Sequence, residues 1–274
     1  MGAPKKRLRA RGLKEGGIKW FTFCCALISV LTTFGIIYVL ISQSIPFFQK
    51  VSIASFVTGK EWRPSSHPPQ FGVLPLVTGT LMITVGAGII AIPLGLLSAI
   101  FLSEYSPPKL RGVLKPALEM LAGIPTVVYG YFGLFFVTPL LAKVWPDIQS
   151  SNAASGAVVV GIMILPLVSS LCEDAIRAVP KPLREGAFGL GSTKMEVITK
   201  IVTPAALSGI MASFILALSR ALGETMAVTL AAGANPQLTL NPAKAIETMT
   251  AFIVTTTRGD APAGSAMYDS LLAV

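Results

Sequence analysis

Arg220 and Glu224 lie inside an apolar stretch that runs from about 205 to 232. Placing either charge near the centre of a bilayer costs at least about 2.5–3.5 kcal/mol, so both must face protein or water. They are four residues apart, which on a helix puts them on one face. Arginine offers a planar fork of donors that suits the oxygens of a tetrahedral anion. Glutamate accepts hydrogen bonds from a protonated oxyanion and repels a fully deprotonated one. Hydrogen phosphate keeps a proton at neutral pH and sulfate does not, which gives a physical route to discrimination. The spacing fits an anion path. It also fits an internal ion pair that fixes helix packing, a device that often gains little net stability. The two roles can coexist.

Three further polar residues are candidates for the same path. Thr126 and Tyr129 follow Pro125 in another apolar stretch. They either line the path or bond within their own helix, as hydroxyls in spans usually do. Glu104 closes the run Phe-Leu-Ser-Glu at 101–104, at a path mouth or at a solvated helix end. Lys115 and Glu119 read as a surface pair, and Trp20 and Trp62 as interfacial anchors. His67 is the only histidine, and Cys24, Cys25 and Cys172 have no metal-ligand spacing. Zinc sites and thiol redox motifs are therefore excluded, and no cofactor is expected.

The longest polar stretch between apolar segments runs from Glu173 to Thr203. Within it, Arg184–Pro204 reads as a short helix, a glycine turn and a second helix leading into the next span. Gly191 permits the left-handed conformation that closes the first helix, and Pro204 marks the return to the membrane. Gly-Leu-Gly-Ser-Thr-Lys at 189–194 lacks the order of a phosphate-binding loop, so no ATP-hydrolysing motif is read there.

The elements that must position these residues follow from composition. Of 274 residues, 53% are hydrophobic and 13% charged, against about 25% charged in a soluble domain. Disorder, a collagen-like fibre and a disulfide scaffold are excluded, and the chain reads as an all-α integral membrane protein. A net charge of +9 does not argue for nucleic acid, because seven of the basic residues (Lys5, Lys6, Arg7, Arg9, Arg11, Lys14, Lys19) form a tail before the first apolar run. That run, Trp20–Ile41, is an uncleaved anchor helix, and 42–73 is an outer loop. Further spans are predicted near 78–102, bent or broken around Pro93; near 118–141, containing Pro125; near 154–171, containing Pro166; and near 205–232. Residues 243–257 could form a helix lying at the membrane surface, and Ser270–Val274 reads as the start of a sixth span. The core of spans occupies 74–274. With the N-terminus inside, 15 Lys/Arg fall in inner segments and six in outer ones, so the basic bias places both the N-terminus and Glu173–Thr203 in the cytoplasm.

Glu185, Ala187 and Gly191, followed after nine intervening residues by Ile201 and then by Pro204, resemble the EAA motif of ABC-importer permeases. Gly186 replaces an Ala of that motif and Thr203 a Leu, while the spacing is matched. The resemblance implies that Glu185, Gly186, Ala187 and Gly191 form a helix that docks on an ATPase subunit. Ser-Arg-Ala-Leu-Gly-Glu-Thr-Met-Ala-Val at 219–228, Leu-Ala-Gly-Ile-Pro-Thr-Val-Val-Tyr-Gly at 121–130 and Phe-Leu-Ser-Glu-Tyr at 101–105 resemble the permeases of phosphate ABC importers. Glu-Trp-Arg-Pro at 61–64 and Phe-Gly-Val-Leu-Pro-Leu at 71–76 are more similar to the PstC-type subunit than to its PstA-type partner. The family implies a type I importer bundle of about six spans in the prokaryotic inner membrane. It also implies a second permease, two ATP-binding subunits and an extracytoplasmic phosphate-binding protein. Other oxyanions, molybdate or sulfate, remain as alternatives. So do a lipid-modifying membrane enzyme, which needs a catalytic pair, and a scaffold that only recruits an ATPase.

Overall fold

The computed structural model describes residues 3–259 and 265–274. It divides into two units, one formed by 1–52 with 262–273 and the other essentially by 53–261.

The first unit is built on α1 (Ala3–Lys50), which runs unbroken through Pro46. The helix therefore extends nine residues beyond the apolar run that ends at Ile41. From Ile18 to Ile45 its large apolar residues are exposed, with Trp20 68% and Tyr38 74% accessible, as a lipid-facing or partner-facing span requires. A helix at Ala266–Ala273 packs on its C-terminal part. There the Ser44 hydroxyl donates to the Leu272 carbonyl and Lys50 pairs with Asp269 at 3.0 Å. The side chains of Lys5 to Lys14 and residues 260–264 of the tail lie outside the described residues.

The second unit opens with α2 (Ile53–Thr58) and a two-stranded antiparallel hairpin, Trp62–Arg63 against Gln70–Phe71, with Trp62 opposite Phe71. Trp62 is not an interfacial anchor. It is 1% exposed and packs edge-on against Phe252, 5.0 Å between ring centroids. Then comes α3 (Leu74–Ile100), continued by a π-helical turn at Phe101–Tyr105. It runs unbroken through Pro93 and reaches 32 residues in all.

The expected third span is two pieces. α4 (Pro108–Leu121) is amphipathic and stops before Pro125, where the chain turns by 88°. The apolar part resumes as α5 (Thr126–Phe132), a π turn at Gly133–Val137 and α6 (Thr138–Ala142). Proline at 125 disfavours helical geometry at Ile124 and cannot donate to the preceding turn, so it starts a helix here instead of lying within one. α7 (Ala153–Arg177) is begun by Asn152, whose side chain accepts the Ser155 N–H at 2.7 Å, and passes through Pro166 to carry Glu173. α3 and α7 form the centre of the unit. They approach closely because glycines face neighbours that leave no room for a side chain: a Cβ on Gly86 would stand 2.7 Å from that of Ala157, and one on Gly95 2.7 Å from that of Val168.

α8 (Lys181–Gly189) and α9 (Lys194–Val197) lead through a π turn at Ile198–Val202 and α10 (Thr203–Ala205) to a 69° bend. α11 (Leu207–Leu222) follows and packs on α7 and α3. The expected fifth span thus starts at the bend and is interrupted at Gly223–Thr225 before α12 (Met226–Ala231). Residues 233–248 are irregular and are tied to the start of α7 by backbone bonds such as Ala153 N–H to Lys244 O at 3.0 Å. The helix expected at 243–257 begins later, as α13 (Met249–Arg258). Among the described residues, three helices are long and apolar enough to cross a membrane, or five if each bent pair counts as one span.

Candidate functional site

The interruption between α11 and α12 gathers the first set of candidates. α11 ends at Leu222, so the helical period that relates Arg220 to Glu224 in the sequence does not carry across. Arg220 sits exposed in the last turn of α11. Glu224 lies in the interruption, 8% exposed, and its Oε1 accepts the Ala227 N–H at 3.2 Å. No ion pair joins the two among the described residues, so the packing-pair alternative is absent from this conformation. Arg220 keeps its fork of donors free of carboxylate.

Threonines hold the interruption in place. Thr250, in the first turn of α13, donates to the Glu224 carbonyl at 2.9 Å. The buried Thr80 of α3 accepts the Met249 N–H at 3.1 Å. An otherwise unpaired carbonyl at membrane depth is thereby satisfied, as a water-poor surrounding demands.

α5 packs against α12. A Cβ on Gly130 would stand 3.2 Å from Ala227 Cα, which leaves only hydrogen room there. Tyr129, next to Gly130, therefore lies beside α12. Its hydroxyl is not an open path group: it donates to the Leu121 carbonyl at 2.8 Å, across the chain break before α5. Thr126, half-buried in the first turn of α5, comes to the same region of that helix.

Glu104 does not join them. Its carboxylate pairs with Arg184 of α8 at 2.9 Å and accepts from the Ser103 hydroxyl at 3.2 Å. Gly88 marks the level at which α3 meets Leu218 of α11. Sixteen residues separate Gly88 from Glu104, about 24 Å at the helical rise. Glu104 belongs with α8, the second set of candidates, and not with the Arg220 group.

In that set, α8 ends in the backbone pattern that Gly191 was expected to allow. Gly191 has φ +84°, its N–H bonds to the Phe188 carbonyl at 3.0 Å, and the Ser192 N–H reaches back to Ala187 at 3.2 Å. Ala187 is buried beneath the turn at 4% exposure, whereas Glu185 and Gly186 face outward. Thr193 caps α9 and exchanges hydrogen bonds with Glu196 in a capping box. The Thr193 N–H and hydroxyl, with Lys200 beyond them, pull the Glu196 carboxyl down to about 2. Leu183, Phe188, Leu190 and Met195 are exposed around this turn, Leu190 at 90%. A polar rim with bare apolar residues is what a docking face looks like.

Sequence reasoning missed the ion cluster behind α8. Glu173 is fully buried in α7 and binds Arg111 and Lys115 of α4, each at 2.7 Å. Lys115 also reaches Asp174, and Glu119 accepts from Ser170, so the expected Lys115–Glu119 pair does not form. The signal was available as a carboxylate directly at the polar end of an apolar helix, four residues before Arg177. Arg184 donates to the Ile176 carbonyl at 2.6 Å as well as to Glu104, and so ties α8 to both α7 and α3.

Residues 91–257 match the family model described as binding-protein-dependent transport system inner membrane component. A probable ABC transporter permease protein, YqgH of Bacillus subtilis, is 35% identical over 95% of this chain and 85% of its own length. The phosphate transport system permease protein PstC of Mesorhizobium japonicum is 39% identical over 65% of this chain; the match spans 60% of that protein. Among solved structures, an inward-facing form of the MetNI methionine ABC transporter superposes with a TM-score of 0.54 at 18% identity, covering 72% of this chain and 86% of that one, which is a likeness of fold. The matched range holds both interruptions and the α8 turn, and on that ground the chain belongs to the family of inner membrane components of binding-protein-dependent transport systems.

Proposed function

We propose that this chain is a PstC-type membrane subunit of an ATP-driven inorganic phosphate importer, forming half of the translocation path. The observation that carries the reading is the carboxylate-free Arg220 beside the buried Glu224, at an interruption where the backbone opens. The PstC name borne by relatives such as that of Mesorhizobium japonicum supports phosphate as the cargo. In this reading a PstA-type permease supplies the other half of the path, two ATP-binding subunits hydrolyse ATP, and an extracytoplasmic protein delivers phosphate. Glu185, Gly186, Ala187 and Gly191 form the ATPase contact. The N-terminus and α8 lie on the cytoplasmic side of a lipid bilayer, as the basic bias requires. Closure of the ATPases moves α8, and the ion pairs behind it pass that motion to α3, α4 and α7, so that the open side of the path alternates. Thr126 and Tyr129 flank the path, while Glu104 acts in coupling.

The test is labelled-phosphate uptake by cells lacking their own importer, supplied with this chain and its neighbouring subunits, with and without excess sulfate. Wild-type uptake should resist sulfate. Arg220→Ala should assemble and transport poorly, and Glu224→Gln should let sulfate compete. Undiminished uptake by Arg220→Ala would remove the Arg220 role. An assembled complex that hydrolyses ATP but takes up no phosphate would redirect the search to molybdate or another oxyanion.

A further inference from the structure

The arginines whose side chains are described sort into two groups. Arg63, Arg111, Arg177 and Arg184 each pair with a carboxylate. Arg220 and Arg258 pair with none among the described residues, and both reach the same interruption. Arg220 stands in the turn before Gly223–Thr225. Arg258, in the last turn of α13, extends Nη2 to within 3.8 Å of the Met226 sulfur, one residue past that interruption. A thioether is a weak acceptor for a group with five donors, so this contact leaves the guanidinium's hydrogen-bonding capacity almost wholly unspent. α13 is anchored at its other end to the same place, through Thr250 to the Glu224 carbonyl and through the Met249 N–H to Thr80. The position of Arg258 is thus set by the element that holds Glu224.

Two exposed guanidinium groups carried on the elements that bound one short stretch repel each other, and a bound oxyanion of charge near −2 would remove that cost while filling both forks. Resting on the phosphate-path reading above, we infer that Arg258 is a second anion-contacting residue. It takes a phosphate group at the α12 side of the interruption while Arg220 takes it from the α11 side. A phosphate group is offered both by the free anion and by a lipid headgroup, and the test separates these sources.

The complete complex is reconstituted in liposomes with its binding protein, and uptake of labelled inorganic phosphate is measured. Arg258→Gln should assemble in normal yield and lower uptake about tenfold or more, the scale of one lost charged hydrogen bond. Arg258→Lys, which keeps the charge but not the fork, should recover part of it. The loss should be the same in phosphatidylcholine liposomes and in liposomes enriched in phosphatidylglycerol. A loss that follows the anionic lipid content would make Arg258 a headgroup anchor and overturn the inference. So would wild-type uptake by Arg258→Gln while Arg220→Gln is impaired. If Arg220→Gln also transports normally, the path reading itself has failed.

Discussion

At the scale of single residues, burial decides what each charge does. Glu173 is the most enclosed carboxylate among the described residues, and its partners Arg111 and Lys115 come from another helix. Replacing it by alanine leaves Arg111 without its carboxylate and Lys115 with Asp174 alone. Because both keep partial access to solvent, the loss should be about 1–3 kcal/mol, less than for a fully enclosed pair. It would be read as a lower midpoint of thermal unfolding in detergent, and Glu119→Ala, whose carboxylate meets only Ser170, should move that midpoint little. Arg220 and Glu224 could be recognised in the sequence because charge inside an apolar stretch is rare. Their relation could not be recognised, since the four-residue spacing suggested one helix face and the helix ends between them.

At the scale of elements, prolines and glycines carried most of the legible information and some of the errors. Gly191 was readable: a glycine after a short amphipathic run commonly closes a helix with positive φ, and it does so here at +84°. Gly191→Ala should strain that turn by about 1 kcal/mol and loosen α8, seen as faster amide exchange across 181–192. Gly186→Ala should do the reverse, because its side chain would enter open space on an exposed helical position. Pro93, Pro125 and Pro166 look alike in the sequence. Pro93 and Pro166 are absorbed within α3 and α7, which support each other along their length, while Pro125 follows the amphipathic α4, whose side chains are nowhere fully buried, and there the chain turns. Burial is not the sole criterion, because Pro46 of α1 and Pro116 of α4 are absorbed within helices that bury little, and a window of sequence does not tell these outcomes apart.

At the scale of the whole molecule, the membrane class and the basic bias follow from composition and need no structure. The irregular 233–248 segment and the cluster behind α8 do not, because they depend on partners far along the chain, as when Gln149 of one loop holds Ala245 of another at 2.7 Å. The three π turns have a meaning in the language of insertions and deletions. Each spends one more residue per turn than an α-helix needs, so each is equivalent to a residue inserted into an ordinary helix. The turn at Phe101–Tyr105 contains Glu104, bound to Arg184, and Tyr105, over which the Lys194 ammonium sits 4.4 Å from the ring centre. Deleting Leu102 should let the helix run on as regular α with the residues beyond the turn kept in their register, because the π turn is what absorbs the extra residue. A cysteine pair at 104 and 184 that cross-links in the parent chain should then still do so. In an alignment of such chains, a one-residue gap at this turn would be compatible with the same hold on α8.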